Sequence, residues 1–314
     1  IEKNIPATEI IGQHWTNLRA GKHPHGNNFK NSITVNPLLG AIKWGQQSGF
    51  NSYCPGGSVV GCVATAMAQI MKYWSHPTQG TGFHSYNHAT YGTQSVNYGS
   101  ASYDFSAMPN ASSSNESAKL SYHCGVAVDM MYSPSGSGAY SSDAKDAFKD
   151  YFDYNGSTIE YLSRSNYSNN NWKQLLKTDL DNGQPIYYAG TGSGGGHAFV
   201  CDGYDASDFF HYNWGWSGAY DGFFNIDALN PSGVGTGGGT GGFNSNHRVI
   251  RGIQPNGVGG SGGGASSADL TLYSSLNLTP ASPINFQTNY AVSVDIANTS
   301  GTQFKGDIAA ALLD

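Results

Sequence analysis

Charged side chains are scarce in this 314-residue chain: 15 Lys or Arg and 21 Asp or Glu make up only 11% of it. With a formal net charge of −6 and no basic stripe, it offers no electrostatic track for nucleic acid. No apolar run approaches the ~18 residues of a membrane span, and residue 1 does not begin a basic-then-apolar signal pattern. If the protein is exported, its leader and any pro-segment are expected to precede residue 1. Cysteine numbers four (Cys54, Cys62, Cys124 and Cys201), and none falls in a Cys-x-x-Cys pair, so no zinc pattern is present. His76, His84 and His88 lie close together in a stretch that reads as loop, where solvated histidines are expected rather than ligands. The run Gly190-Thr191-Gly192-Ser193-Gly194 lacks a following Gly-Lys-Ser/Thr, which argues against a phosphate loop. No metal and no cofactor is therefore expected.

What the chain has in plenty is Gly (43) and Tyr (20), with abundant Ser and Asn, a composition common in exported proteins. Against this background one cysteine is conspicuous by position. Gly61 to Trp74 reads as a helix, with Val63, Met67, Ile70, Met71 and Trp74 at helical spacing and Pro77 as its stop. Cys62 then falls in the first turn, where unpaired N–H groups and the helix dipole favour a thiolate. Position alone leaves a buried helix cysteine the commoner reading. A disulfide to Cys54 would silence such a thiol and is not expected, while Cys124 and Cys201 sit in apolar runs and read as small buried hydrophobes.

A nucleophile needs a base. Gly194-Gly195-Gly196-His197 runs into the apolar strand Ala198-Phe199-Val200-Cys201, and a second strand, Phe209 to Trp216, follows a turn at Asp205 to Asp208. Antiparallel pairing would bring Asn213 and Trp214 beside His197, the amide to hold the imidazole in one tautomer and the indole to shield that bond. A thiolate–imidazolium pair formed before substrate arrives is expected from this placement.

The blocks Gly61-Cys62-Val63-Ala64-Thr65-Ala66, Gly195 to Val200, Tyr212 to Trp216, Asp221-Gly222-Phe223-Phe224 and Asp227 to Pro231, with the glycine run from Gly233 to Gly242, resemble the streptopain family of secreted bacterial cysteine peptidases. The similarity runs from about Val35 to Pro255. It implies an α+β, papain-like fold with a helical half carrying the nucleophile and an antiparallel sheet half carrying the histidine. It also implies a secreted endopeptidase made as a zymogen, with protein or peptide substrates and a pro-segment inhibitor in the precursor. By the same resemblance Cys62 and His197 form the catalytic pair, Asn213 and Trp214 support it, and the Gln46 side chain joins the Cys62 N–H in an oxyanion hole. Ser137, in Ser133 to Gly138, and Gly196 match substrate-binding positions, and Trp216 is expected in the site wall. Two other readings stay open: a papain-fold acyltransferase or amidase using the same pair, and a non-catalytic adhesion module.

The remaining organisation follows from punctuation. A short amphipathic stretch spans Glu9 to Leu18, and His76 to Ala101 reads as loop or hairpin. Helices are expected over Ser117 to Met131, Ser142 to Tyr151 and Trp172 to Asp181, the last ended by Gly183. Residues 1–255 read as the peptidase domain and 256–268 as a Gly/Ser linker. Residues 269–314 alternate in the manner of strands and read as the start of an immunoglobulin-like β-sandwich, too short for the usual seven strands.

Overall fold

Gly61 sets the direction of the central helix. Its φ of +90° is open to glycine, and a Cβ there would come within 2.7 Å of Met130 Sδ. The helix that follows, α1 (Cys62–Trp74), has the expected start and stop, with Ser75 in the left-handed region ending it ahead of Pro77. The apolar spacing read from the sequence marks one stripe, but the helix is buried on all sides. Every residue from Val63 to Met71 is buried, because alanines on all sides let other elements close around it. Its two buried polar positions, Thr65 and Gln69, hydrogen-bond to Gly61 O and the Trp44 N–H respectively.

The computed structural model describes residues 33–236 and 242–257, together with the backbone of four short strands farther on. Contacts divide the chain into two units, Ile1–Gly262 and Gly263–Asp314. In the first, a hairpin of β2 (Phe83–His88) and β3 (Gly92–Asn97) occupies the His-rich stretch that read as loop or hairpin. Helix α2 (Asn115–Val126) starts earlier than expected, on a Ser114/Ser117 capping box, and ends before Asp129, whose φ is +49°. Helices α3 (Ser141–Asp150) and α4 (Asn169–Asp181) complete the set, with Ser168 capping α4. The Glu9 to Leu18 stretch lies outside the described residues.

The sheet is antiparallel, in the order β4 (Glu160–Ser163), β9 (Ser245–Arg251), β5 (Ile186–Gly192), β6 (Gly195–Asp205), β7 (Phe210–Asn213) and β8 (Gly222–Phe224), with β1 (Ile33–Val35) also paired to β6. Strand alternation divides its side chains between two cores. Tyr187, Ala198, Val200 and Ile250 join the core of α1, α2 and α3. Tyr188, Phe199, Cys201 and Val249 join Trp172, Leu176 and Leu180 of α4 on the other face. This is the α+β arrangement expected, a helical half against an antiparallel sheet. The register sets Gly190 opposite His197 and Asn213 opposite Val200, so the end of β7 lies near the histidine.

In the second unit, β10 (Leu270–Leu272) pairs with β13 (Ile296–Asn298), and β11 (Asn277–Thr279) with β12 (Ala291–Ser293), both antiparallel. Most of the expected linker, from residue 258 on, lies outside the described residues.

Candidate active site

A cleft of 840 Å³ opens where α1 begins and β5 and β6 meet. Cys62, Val63, Ser137, Gly196, His197 and Ala198 all line it. All four cysteines are free, so no bond to Cys54 blocks Cys62. Cys124 and Cys201 are buried, as expected of small hydrophobes, and Cys54 is buried as well.

Burial dominates the Cys62 thiol and raises its pKa, while the N–H groups of Ala198, Val63 and Cys62 itself, within hydrogen-bonding reach of the sulfur, pull it back. The Ala198 contact places the sulfur against the residue next to His197. His197 is buried, and its Nε2 donates to the main-chain carbonyl of Trp214 at 2.8 Å. A carbonyl only accepts, so that bond assigns the proton to Nε2 and leaves Nδ1 as a lone pair. Nδ1 is buried without a hydrogen-bond partner. Desolvation lowers the imidazole pKa to about 4 against the opposing Trp214 bond. Each shift, taken for its own group, disfavours the charged form and so works against the preformed ion pair that the helix dipole favours. The helix dipole and the N–H donors were visible in the sequence; the desolvation that outweighs them was not.

The structure alters three further expectations. Asn213 is buried near the site, yet its Nδ2 donates to Ile42 O and its Oδ1 accepts from the Gly215 N–H. It fixes the turn that aims the Trp214 carbonyl and does not itself hold His197. We expect Asn213→Ala to lower activity and melting temperature together. It strands the buried Ile42 carbonyl and the Gly215 N–H, a loss of about 1–3 kcal/mol. Thermal melts beside kinetic assays check this, and an unchanged melt with lost activity would return Asn213 to direct support of the base. Trp216 meets the site through the base. Its ring lies on the His197 ring, centroids 4.7 Å apart and 23° between planes, with Trp214 stacked behind it. The shielding expected of the Trp214 indole thus falls first to Trp216, while Trp214 contributes its carbonyl and bonds its own Nε1 to Tyr220 O. Gln46 is buried outside the cleft lining, its Nε2 donating to Thr236 O at 2.7 Å. That bond occupies the amide N–H₂ that the resemblance assigns to the oxyanion hole.

Ser137 and Gly196 both line the cleft beside Cys62 and His197. Ser137 Oγ donates to Val59 O and accepts from the Ser133 N–H, which ties the Ser133 to Gly138 loop to the strand-like approach before α1. Two residues escaped the sequence reading. Asp221 Oδ1 accepts the Trp214 N–H, gripping the same peptide unit whose neighbour holds His197, and burial raises its pKa to about 6. Phe243 packs on His197 at 5.1 Å, while its carbonyl comes so near Gly190 that a Cβ there would sit 2.5 Å away. The Asp221-Gly222-Phe223-Phe224 block was noticed, but nothing local in it tells that the carboxylate turns back to Trp214.

The chain matches the peptidase C10 family over residues 44–224. It is 39% identical over 249 residues to streptopain of Streptococcus pyogenes, 75% of this chain and 61% of that protein. It thus spans about three fifths of the length of the streptopains it matches. It is 36% identical over 228 residues to the thiol protease/hemagglutinin PrtT of Porphyromonas gingivalis, 68% of this chain and 26% of that one. The structure of active interpain A cysteine protease from Prevotella intermedia superposes with a TM-score of 0.63 at 35% identity, over 70% of this chain and 94% of that one. A fragment of prointerpain A from the same organism gives 0.60 at 31% identity, over 82% and 88%.

Proposed function

Because the chain belongs to the peptidase C10 family, we propose that it is a cysteine endopeptidase whose nucleophile is Cys62 and whose base and acid is His197. The observation that carries this reading is the buried His197 Nδ1, a lone pair with no partner on a ring whose other nitrogen is fixed by Trp214 O, in the same cleft as Cys62. The thiol proton passes to Nδ1 as the sulfur attacks the peptide carbonyl, which makes the transfer part of the attack itself. The carbonyl oxygen becomes an anion at the start of α1, where first-turn N–H groups such as that of Cys62 have no acceptor within the helix. Gln46 supplies a second donor there only on releasing Thr236 O. His197 then protonates the leaving amine, and water, deprotonated by the same nitrogen, hydrolyses the thioester.

Substrates are proteins or peptides, held along the Ser137 and Gly196 sides of the cleft. Export of the protein, and a precursor with an inhibitory pro-segment, are supported by the streptopain relationship and by the existence of a pro-form of interpain A. Among the described residues no helix is long and apolar enough to cross a membrane.

Casein digestion under reducing conditions tests the activity. New amino termini, abolished by an iodoacetamide-type reagent that maps to Cys62, are the expected result. Incorporation of an amine acceptor without fragments would favour acyl transfer, and no turnover by reduced protein would favour an adhesion module.

The domain reading extends the proposal: residues 1–255 are the peptidase, 256–268 a tether, and 269–314 an accessory β-module. Truncation after Pro255 is expected to leave hydrolysis of a small peptide within about twofold, because a tethered module contributes few contacts to the catalytic core. Insoluble or inactive truncated protein would move the boundary.

A further inference from the structure

Three arginines lie among the described residues, and two of them are paired. Arg164 meets Asp227, and Arg251 meets Asp179 and Glu160. Arg248 has no ion-pair or hydrogen-bond partner for its guanidinium among the described residues, and it lines the cleft. It is the one residue of that lining with a fixed charge; the rest are small, hydroxylic, amide or aromatic, with His197 held neutral.

Its place follows from strand register. Ala198 on β6 pairs with Ala189 on β5, and Ala189 with Arg248 on β9. Residues directly opposite in antiparallel strands share a face. The three therefore form one row across the sheet, on the face that packs α1. The Cys62 sulfur sits at one end of it, in reach of the Ala198 N–H. At about 4.8 Å per strand, the Arg248 backbone stands roughly 10 Å from that of Ala198. Two alanines leave the interval open, and Tyr161 stands beside Arg248, close enough for the guanidinium to lower its phenol pKa against the larger effect of burial. A substrate side chain that lies over the alanines ends at a half-buried cation with nothing to neutralise it.

We propose that Arg248 makes this cleft selective for peptides with Asp or Glu at the position whose side chain runs along Ala198 and Ala189. The inference rests on the peptidase reading. A carboxylate there completes a charge-assisted pair that the free protein lacks, while Lys or Arg meets a like charge. An uncharged side chain of the same length forfeits the pair, and partial exposure keeps the difference moderate, roughly tenfold in kcat/KM.

The test uses sets of fluorogenic peptides that differ at a single position in Glu, Gln or Lys, scanned through the positions flanking the cut. The wild-type protein is expected to cleave the Glu peptide roughly tenfold faster than the Gln peptide at one position, with Lys slowest. High ionic strength should shrink the Glu-to-Gln ratio, a readout that needs no variant. Arg248→Gln should bring the ratio within about twofold of one, and Arg248→Glu should invert the order of Glu and Lys. Equal cleavage of Glu and Gln at every position, or a ratio that survives Arg248→Gln, would overturn the proposal while leaving the peptidase intact. Failure to cut any peptide or casein, with Cys62 still titratable by an alkylating reagent, would overturn the peptidase reading instead.

Discussion

Replacing Cys62 by Ala is expected to remove peptide hydrolysis, by at least ~10³-fold, while leaving the fold in place. The two halves of that statement have separate causes. The loss is large because no other cysteine lines the cleft: Cys54 is buried elsewhere with its thiol pushed up to about 12 by desolvation. The fold survives because Cys62 is the first residue of α1 and only partly buried, so one sulfur gives up little packing. His197→Ala should be as inactive, and the double variant no worse than either, since a nucleophile and its base act as one unit. Rates on a peptide substrate beside circular dichroism and melting curves check all three. Retained activity in Cys62→Ala, or a double variant much slower than the singles, would break the assignment of the pair.

Acid should destabilise the protein steeply between about pH 6.5 and pH 4. His123, His197 and His247 are each pushed down to about 4, in every case first by burial. Above pH ~6.5 both folded and unfolded forms carry these rings neutral. As the pH falls, the unfolded chain takes up protons that the folded one refuses until about pH 4. The stability they contribute is thus whole above 6.5 and is lost through that window. A displacement of 2.5 pH units corresponds to roughly 3 kcal/mol per ring, less for the half-buried His123. One group works in the opposite sense inside this window, Asp221, raised to about 6 by burial; the gain from His211, raised by Asp202 against the larger cost of burial, is already complete by pH 6.5. Three depressed rings against one raised carboxyl leave a net loss on acidification. Melting temperatures at pH 7.5, 6, 5 and 4 measure it, and His247→Gln, outside the cleft, should flatten the slope by about one proton. A melting temperature that stays level down to pH 4.5 would mean that these rings are wetter than their burial indicates. Activity should persist to a lower pH than an ordinary imidazole allows, because the base is still unprotonated at pH 5.

Much of this molecule was open to a reader of the chain. Gly61 before Cys62, the helical spacing from Val63 to Trp74, and Pro77 beyond it are local signals, and local signals determine where α1 starts and stops. The glycine-to-apolar switch at His197 likewise marked the start of β6, and the turn at Asp205 to Asp208 marked the hairpin that brings β7 alongside. Those facts, with the resemblance, pointed to Cys62 and His197 as a pair and gave the two-part α+β design.

Tertiary structure decided what each neighbour of that pair does. Strand pairing brings the end of β7 toward His197, but pairing says nothing of which polar groups of Asn213 and Trp214 turn toward the ring. Asn213 found Ile42 O, 171 residues away, and the Trp214 carbonyl was left for the imidazole. The Gln46 amide likewise found Thr236 O, 190 residues distant. Trp216, periodic with the sheet, stacked on His197 because the turn at Gly215, with φ of +70°, reverses the chain over the ring. The charge state of the site was the last thing the chain could disclose: dipoles and donors are local and legible, whereas desolvation is the sum of everything that packs around a group, and it exists only once the halves have closed on each other.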